Sequence, residues 1–190
     1  MLDLDSGPVH ISVEAGIGGT SLGLSLSAAI LEANGRVVWL ARAAPDPSRS
    51  SQILQSLTQT QLERLFIVEF GNDFLTRVKA VAPLISRLNE ADLVVIDDWC
   101  PPSGRAPASD LSAARTVISA AKNTRLILTA KAYESPAGSG EPWRSRGEQL
   151  QGTRQVWLFR SEGIRNRRIL IDGRSEEHTS ELQSPCNLVC

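Results

Sequence analysis

Apolar residues along this chain come in two alternating rhythms. Short apolar or β-branched runs stand at 10–13, 36–41, 65–70, 92–98 and 124–130. Each is too short for a helix and predicts a strand, buried at 36–41, 92–98 and 124–130. Between them, apolar positions recur every third or fourth residue: Leu22, Leu24, Leu26, Ile30 and Leu31; Ile53, Leu54 and Leu57; Phe74, Leu75, Val78, Val81, Leu84, Ile85 and Leu88; Leu111, Ala114, Val117, Ile118 and Ala121. That spacing gives a helix one apolar stripe. Asn34-Gly35 stops the first helix and Pro45-Asp46-Pro47-Ser48 opens the second. Asn72 or Asp73 caps the third, which Pro83 must bend or divide. Ser109 or Asp110 caps the fourth. Two alternating runs, 155–160 and 168–171, close the pattern as a hairpin joined through Gly163 and Asn166. Strand-helix alternation predicts an α/β domain.

Composition narrows the picture modestly. The 190 residues hold 42% hydrophobic and 22% charged side chains, with a net charge of −1. This is ordinary for a soluble domain and argues against a globally basic nucleic-acid binder. No apolar run approaches the roughly 20 residues of a membrane span, and the first residues lack the pattern of a signal peptide. No membrane partner and a cytoplasmic location are the expectations. Cys100, Cys186 and Cys190 are too few and too badly spaced for a zinc cage or a disulfide framework.

Between the first strand and the first helix lies Val13-Glu14-Ala15-Gly16-Ile17-Gly18-Gly19-Thr20-Ser21. Strand, glycine loop, helix is the context of a phosphate-binding P-loop, G-x-x-x-x-G-K-[ST]. Aligning on the last three residues puts Gly19 at the second glycine, Thr20 at the lysine and Ser21 at the hydroxyl that meets Mg²⁺. Gly16, Gly18 and Gly19 allow backbone N–H groups to turn inward around an anion, and the helix dipole adds to them. The missing lysine removes a charged hydrogen bond of roughly 1.5–3 kcal/mol, about ten- to a hundredfold in affinity. A bare tight turn is the other reading of the loop. Further on, Leu93-Val94-Val95-Ile96 runs into Asp97 and Asp98, the pattern of a strand whose terminal carboxylate holds a magnesium ion. Turn chemistry alone also ends strands in Asp.

These segments, in this order, resemble the ATPase core of the RecA/RadA recombinase superfamily, with RadB-like and KaiC-like paralogues nearest. The resemblance covers residues 5–173. Ser6-Gly7-Pro8-Val9-His10-Ile11 is similar to the segment leading into that family's first strand. Val37-Val38-Trp39-Leu40 with Asp46-Pro47-Ser48-Arg49 resembles its second strand and following helix. Val95-Ile96-Asp97 resembles Walker B, and Leu126-Ile127-Leu128-Thr129 with Tyr133 resembles the strand that senses the γ-phosphate. The resemblance implies a RecA-like P-loop NTPase core: a mostly parallel central sheet, helices on both faces and a C-terminal β-hairpin. It implies ATP and Mg²⁺, held weakly by Gly16, Gly18, Gly19, Thr20 and Ser21 with Ser21 and Asp97 as metal ligands, and Lys131 in the sensor position.

The departures from the family share a direction. Thr20 stands for the lysine, the water-activating Glu falls at about Ala43, and Ala130-Lys131 replaces Asn-Gln. They imply an accessory paralogue in DNA recombination and repair that hydrolyses ATP poorly or not at all. Its partners would be a RecA-fold recombinase subunit, its own copies, or single-stranded DNA. Two alternatives stay open: an active ATPase with Lys131 or a neighbouring subunit's lysine in place of the lost charge, and a KaiC-like regulator without DNA binding. Residues 135–152 read as a flexible basic loop in which Trp143, Arg144 and Arg146 meet single-stranded DNA. The alternative is that Trp143 packs on the sheet and the arginines are solvated.

Residues 174–190 read as the in-frame translation of a common short-read sequencing adapter. The expectation is a natural frame cut near Gly173, a core domain at 1–173 and a disordered artefactual tail.

Overall fold

The computed structural model describes residues 2–135, 143–147, 150–161, 167–172 and 179–183. Its strands are β1 (Val9–Val13), β2 (Val37–Ala41), β3 (Leu65–Glu69), β4 (Leu93–Asp97), β5 (Arg125–Glu134), β6 (Trp143–Ser145), β7 (Arg154–Arg160), β8 (Arg167–Asp172) and β9 (Thr179–Gln183). Its helices are α1 (Gly19–Glu32), α2 (Pro47–Leu54), α3 (Gln59–Leu62), α4 (Phe74–Ile85) and α5 (Ala108–Ala120). One sheet runs β3-β2-β4-β5-β1-β7-β8-β9, with β6 paired to β5. The strands from β3 through β7 are parallel, and β8 and β9 add antiparallel.

Strands β1, β2 and β4 are buried at every position because helices cover both faces. Alternation sends Val9, Ile11, Val37, Trp39, Leu93 and Val95 to one side, under α1 and α2. Val38, Leu40, Val94, Ile96, Leu126 and Leu128 go to the other, under α4 and α5. Each such side chain, fully buried, contributes roughly 1.5–3 kcal/mol. α1 approaches the sheet closely because position 23 carries no side chain: a Cβ at Gly23 would lie 2.8 Å from the Trp39 ring. At the opposite end of the strands, Arg36 Nη2 lies 2.7 Å from Asp92 Oδ2 and ties the starts of β2 and β4. Burial pushes the Asp92 carboxyl up, but Arg36 and the backbone N–H groups of Asn89 and Arg36 outweigh it and hold the carboxyl below its ordinary range.

Several local expectations are corrected. α4 is not divided at Pro83; the proline sits in its last turn and the helix ends two residues later. Leu88 lies beyond that end yet is buried. Neither Ser109 nor Asp110 caps α5, which starts at Ala108 after Pro107 without a side-chain cap. Asp110 sits in its first turn, where a carboxylate favours the helix dipole, and meets Arg42 at 3.5 Å. Helix α3, unexpected, carries a full capping box between Thr58 and Gln61. Thr179–Gln183, within the stretch expected to be disordered, forms β9 against β8. An open sheet edge pairs with any extended backbone, whatever the origin of the residues.

Candidate functional site

The parallel strands all end on one edge, where ligands of open α/β sheets bind. There β1 stops at Val13 and the loop departs. The loop is pinned to β7: Glu14 N–H donates to the Leu158 carbonyl at 3.0 Å, and the Glu14 carboxylate accepts from Arg160 N–H at 2.8 Å. Gly16 and Gly18 have φ of 78° and 87°, a left-handed backbone that costs other residues energy. Gly18 is the N-cap of α1 and provides no side-chain cap. The first N–H groups of a 14-residue helix therefore face the loop without a capping side chain. A Cβ at Gly19 would come within 2.9 Å of Val13 Cγ2, so that position admits no side chain unless Val13 moves.

Asp97 ends β4. Strand β5 lies between β4 and β1, and it brings Thr129 to the carboxylate. The Thr20 hydroxyl donates to Asp97 Oδ2 at 2.8 Å, and the Thr129 hydroxyl donates to Oδ1 at 2.8 Å while accepting from Asp98 N–H at 2.8 Å. Burial pushes the Asp97 carboxyl above its ordinary range and Asp98 adds to the push, while Thr20, Thr129 and Lys131 pull it back. Asp98 adopts φ of 51°, a conformation Asp tolerates better than most residues. Its carboxylate lies 3.3 Å from Lys131 Nζ. Residues 13–16, Gly18, Gly19, Thr20, both aspartates, Thr129 and Lys131 line one cavity of about 290 Å³.

The sequence-derived site residues divide accordingly. Gly16, Gly18, Gly19, Thr20, Asp97 and Lys131 come together around the cavity. Ser21 does not: its hydroxyl accepts from Arg49 Nε at 3.1 Å, and the hydroxyl on Asp97 is that of Thr20. The expectation that Ser21 joins Asp97 is corrected, because consecutive helical residues point about 100° apart and only one of two adjacent hydroxyls can face β4. Thr129 and Asp98 were missed as site residues. Both stood in quoted motifs, Asp98 directly after the Walker B aspartate and Thr129 at the end of an apolar run.

Opposite Asp97 on β2 stands Ala41, and Ala43 beyond it is exposed. Neither carries a carboxylate. Among the described residues, the carboxylates lining the cavity are Glu14, Asp97 and Asp98, and each already has a partner.

The basic segment is only partly a loop. β6 pairs with β5 beyond Lys131, Trp143 opposite Glu134 and Ser145 opposite Ala132. Trp143 packs its ring on Phe159 at 4.8 Å between centroids, and the Arg146 guanidinium lies 5.0 Å over the Tyr133 ring. Arg144 is exposed. The packed alternative for Trp143 matches this geometry: the ring rests tilted against Phe159 and is half-buried. Residues 136–142, 148 and 149 lie outside the described residues.

A second buried polar cluster occupies the other face of the same strands. Trp99 Nε1–H donates to His10 Nε2 at 3.1 Å, so the His10 proton sits on Nδ1 and is donated to Gln155 Oε1 at 2.9 Å. Gln155 Nε2 in turn donates to the Ser12 hydroxyl at 2.7 Å. Burial lowers the His10 pKa to about 4, against a small upward pull from Gln155.

No protein-family model matches the chain, and no curated protein matches it. Among solved structures, a DnaB-like replicative helicase, studied with its interactions with primase, is similar at TM-score 0.60 and 11% identity. The match covers 93% of this chain and 55% of the helicase chain. No helix among the described residues is long and apolar enough to cross a membrane. Sheet order, helices on both faces and this likeness together give the chain a RecA-like α/β fold.

Proposed function

We propose that this domain binds a nucleotide through its phosphates and magnesium, turns it over very slowly, and acts through interaction with other macromolecules. The observation that carries the reading is the Thr20–Asp97 hydrogen bond beside the uncapped start of α1. A hydroxyl and a carboxylate are hard oxygen donors suited to Mg²⁺, and the loop N–H groups suit the phosphates the ion would accompany. Thr20 then takes the P-loop hydroxyl position, and the lysine position falls on Gly19, where a side chain would require Val13 to shift. Slow turnover follows from Ala41 and Ala43, which offer no base to attacking water. Magnesium, when bound, would supply charge neutralisation at the phosphates. Thr20 and Asp97 would hold it.

The accessory role in recombination and repair is carried by the sequence resemblance, and the intact fold beside a depleted catalytic edge supports it. Titration of a fluorescent ATP or ADP analogue with Mg²⁺ tests the site. Binding lost in Asp97→Ala, with hydrolysis below about 1 per second, is the expected result. Faster turnover that Asp97→Ala abolishes would overturn the non-hydrolysing reading, and absence of binding would overturn the site.

A further inference from the structure

Resting on that reading of the site, we infer that Lys131 is the cation for the nucleotide's phosphates, and that it reaches them by exchanging Asp98 for the ligand. Pairing of β1 with β5 puts Lys131 directly beside Val13, the residue from which the glycine loop departs, about 4.8 Å away across the sheet. Lys131 and Thr129 share a face of β5 because side chains alternate. Thr129 touches Asp97, so the ammonium arises one rung further toward the cavity mouth, and Lys131 lines the cavity.

Asp98 now holds the ammonium at 3.3 Å, with side chains 44% and 35% exposed. An ion pair so open to water is weakly held, and a flexible four-carbon stem redirects easily. A phosphate group with two or more charges, set against loop N–H groups, outcompetes a single carboxylate. Asp98 is left near a ligand of like sign and opposes it. The two residues therefore act in opposite directions: Lys131 favours the polyphosphate, and Asp98 competes for the same ammonium. The lysine lost from the loop is replaced from the neighbouring strand, while a side chain at Gly19 would press on Val13.

The experiment measures Mg-ATP and Mg-ADP affinity of wild type, Lys131→Ala, Asp98→Asn and the double variant, together with adenosine as a phosphate-free probe. Asn tolerates the left-handed backbone at position 98, so folding is preserved, and thermal melts check this. Lys131→Ala is expected to weaken ATP at least tenfold, with adenosine unaffected. Asp98→Asn is expected to tighten ATP several-fold, a gain that vanishes in the double variant. A merely structural role would weaken both single variants alike. ATP binding by the wild type that ignores Lys131→Ala, or that falls in Asp98→Asn, overturns this inference alone. Failure of the wild type to bind nucleotide overturns both it and the site reading beneath it.

Discussion

Strands β1, β4 and β5 separate two buried polar clusters on opposite faces of one sheet. On the α4/α5 side, Trp99, His10, Gln155 and Ser12 form a continuous chain of hydrogen bonds between neutral groups. On the α1 side, Asp97 is buried but reaches the cavity, and among the described residues two hydroxyls are its side-chain hydrogen-bond partners. Lys131, the lysine lining the same cavity, is paired with Asp98. A satisfied neutral network stabilises a fold, whereas a buried carboxylate without a cation costs stability unless something arrives to neutralise it. The two clusters thus differ in kind: the first packs against Gly147, where a Cβ would lie 2.7 Å from Trp99 and 3.0 Å from His10, and the second, on the reading proposed above, awaits a ligand.

The sharpest way to break this comparison is His10→Ala. It strands the Trp99 N–H and the Gln155 carbonyl and opens a cavity, so equilibrium unfolding in denaturant should show a loss of about 4 kcal/mol. Nucleotide affinity of the folded fraction should be unchanged; a tenfold loss of affinity would mean the two clusters are coupled.

Acid gives the next largest effect. The His10 pKa falls from an ordinary 6.5 to about 4 on folding, so the unfolded chain binds the extra proton first. Its contribution is whole above pH 6.5 and drains away as pH falls toward 4, about 3 kcal/mol in all. The gap in stability between wild type and His10→Ala should narrow by that amount across the window. A gap independent of pH would show that His10 is not held neutral.

The smallest effect has the opposite sign. Asp97→Asn preserves both hydroxyl bonds in shape and removes the buried charge, whose carboxyl is held above its ordinary range by burial. Its melting temperature without ligand should rise by a few degrees, roughly 1 kcal/mol, while magnesium-dependent nucleotide binding disappears. A site residue that costs stability is common where function needs it. A drop in melting temperature would place Asp97 among the structural groups instead.

Much of the framework was legible along the chain. The five apolar runs became β1 to β5, and the α1, α2 and α4 helices arose where the apolar spacing changed from runs to every third or fourth residue. Asp46 caps α2 through Arg49 N–H and Asp73 caps α4 through Thr76 N–H, as turn chemistry indicated. The glycine loop and Asp97 were also legible as a pair, since a phosphate turn and a strand-end carboxylate each have a local signature. What stayed hidden was the phase of α1. Thr20-Ser21 offers two hydroxyls in a row, and matching a motif by counting cannot say which one the helix rotates toward β4. β6 was hidden too, because three residues have no period of their own and gain their structure by pairing with β5.

Sequence by itself determined the five parallel strands β1 to β5, the helices α1, α2, α4 and α5 between them, and the absence of a lysine within the loop, because propensity, periodicity and capping act over a few neighbouring residues. Only the tertiary structure decided that Thr20 meets Asp97, that Lys131 stands beside the loop on Asp98, and that His10 is a neutral link in a chain of hydrogen bonds. Those facts depend on strand order and register, which join residues 77 apart for Thr20 and Asp97 and 145 apart for His10 and Gln155. Pairing across such distances is set by how whole elements pack, and burial then gives each polar group its energy.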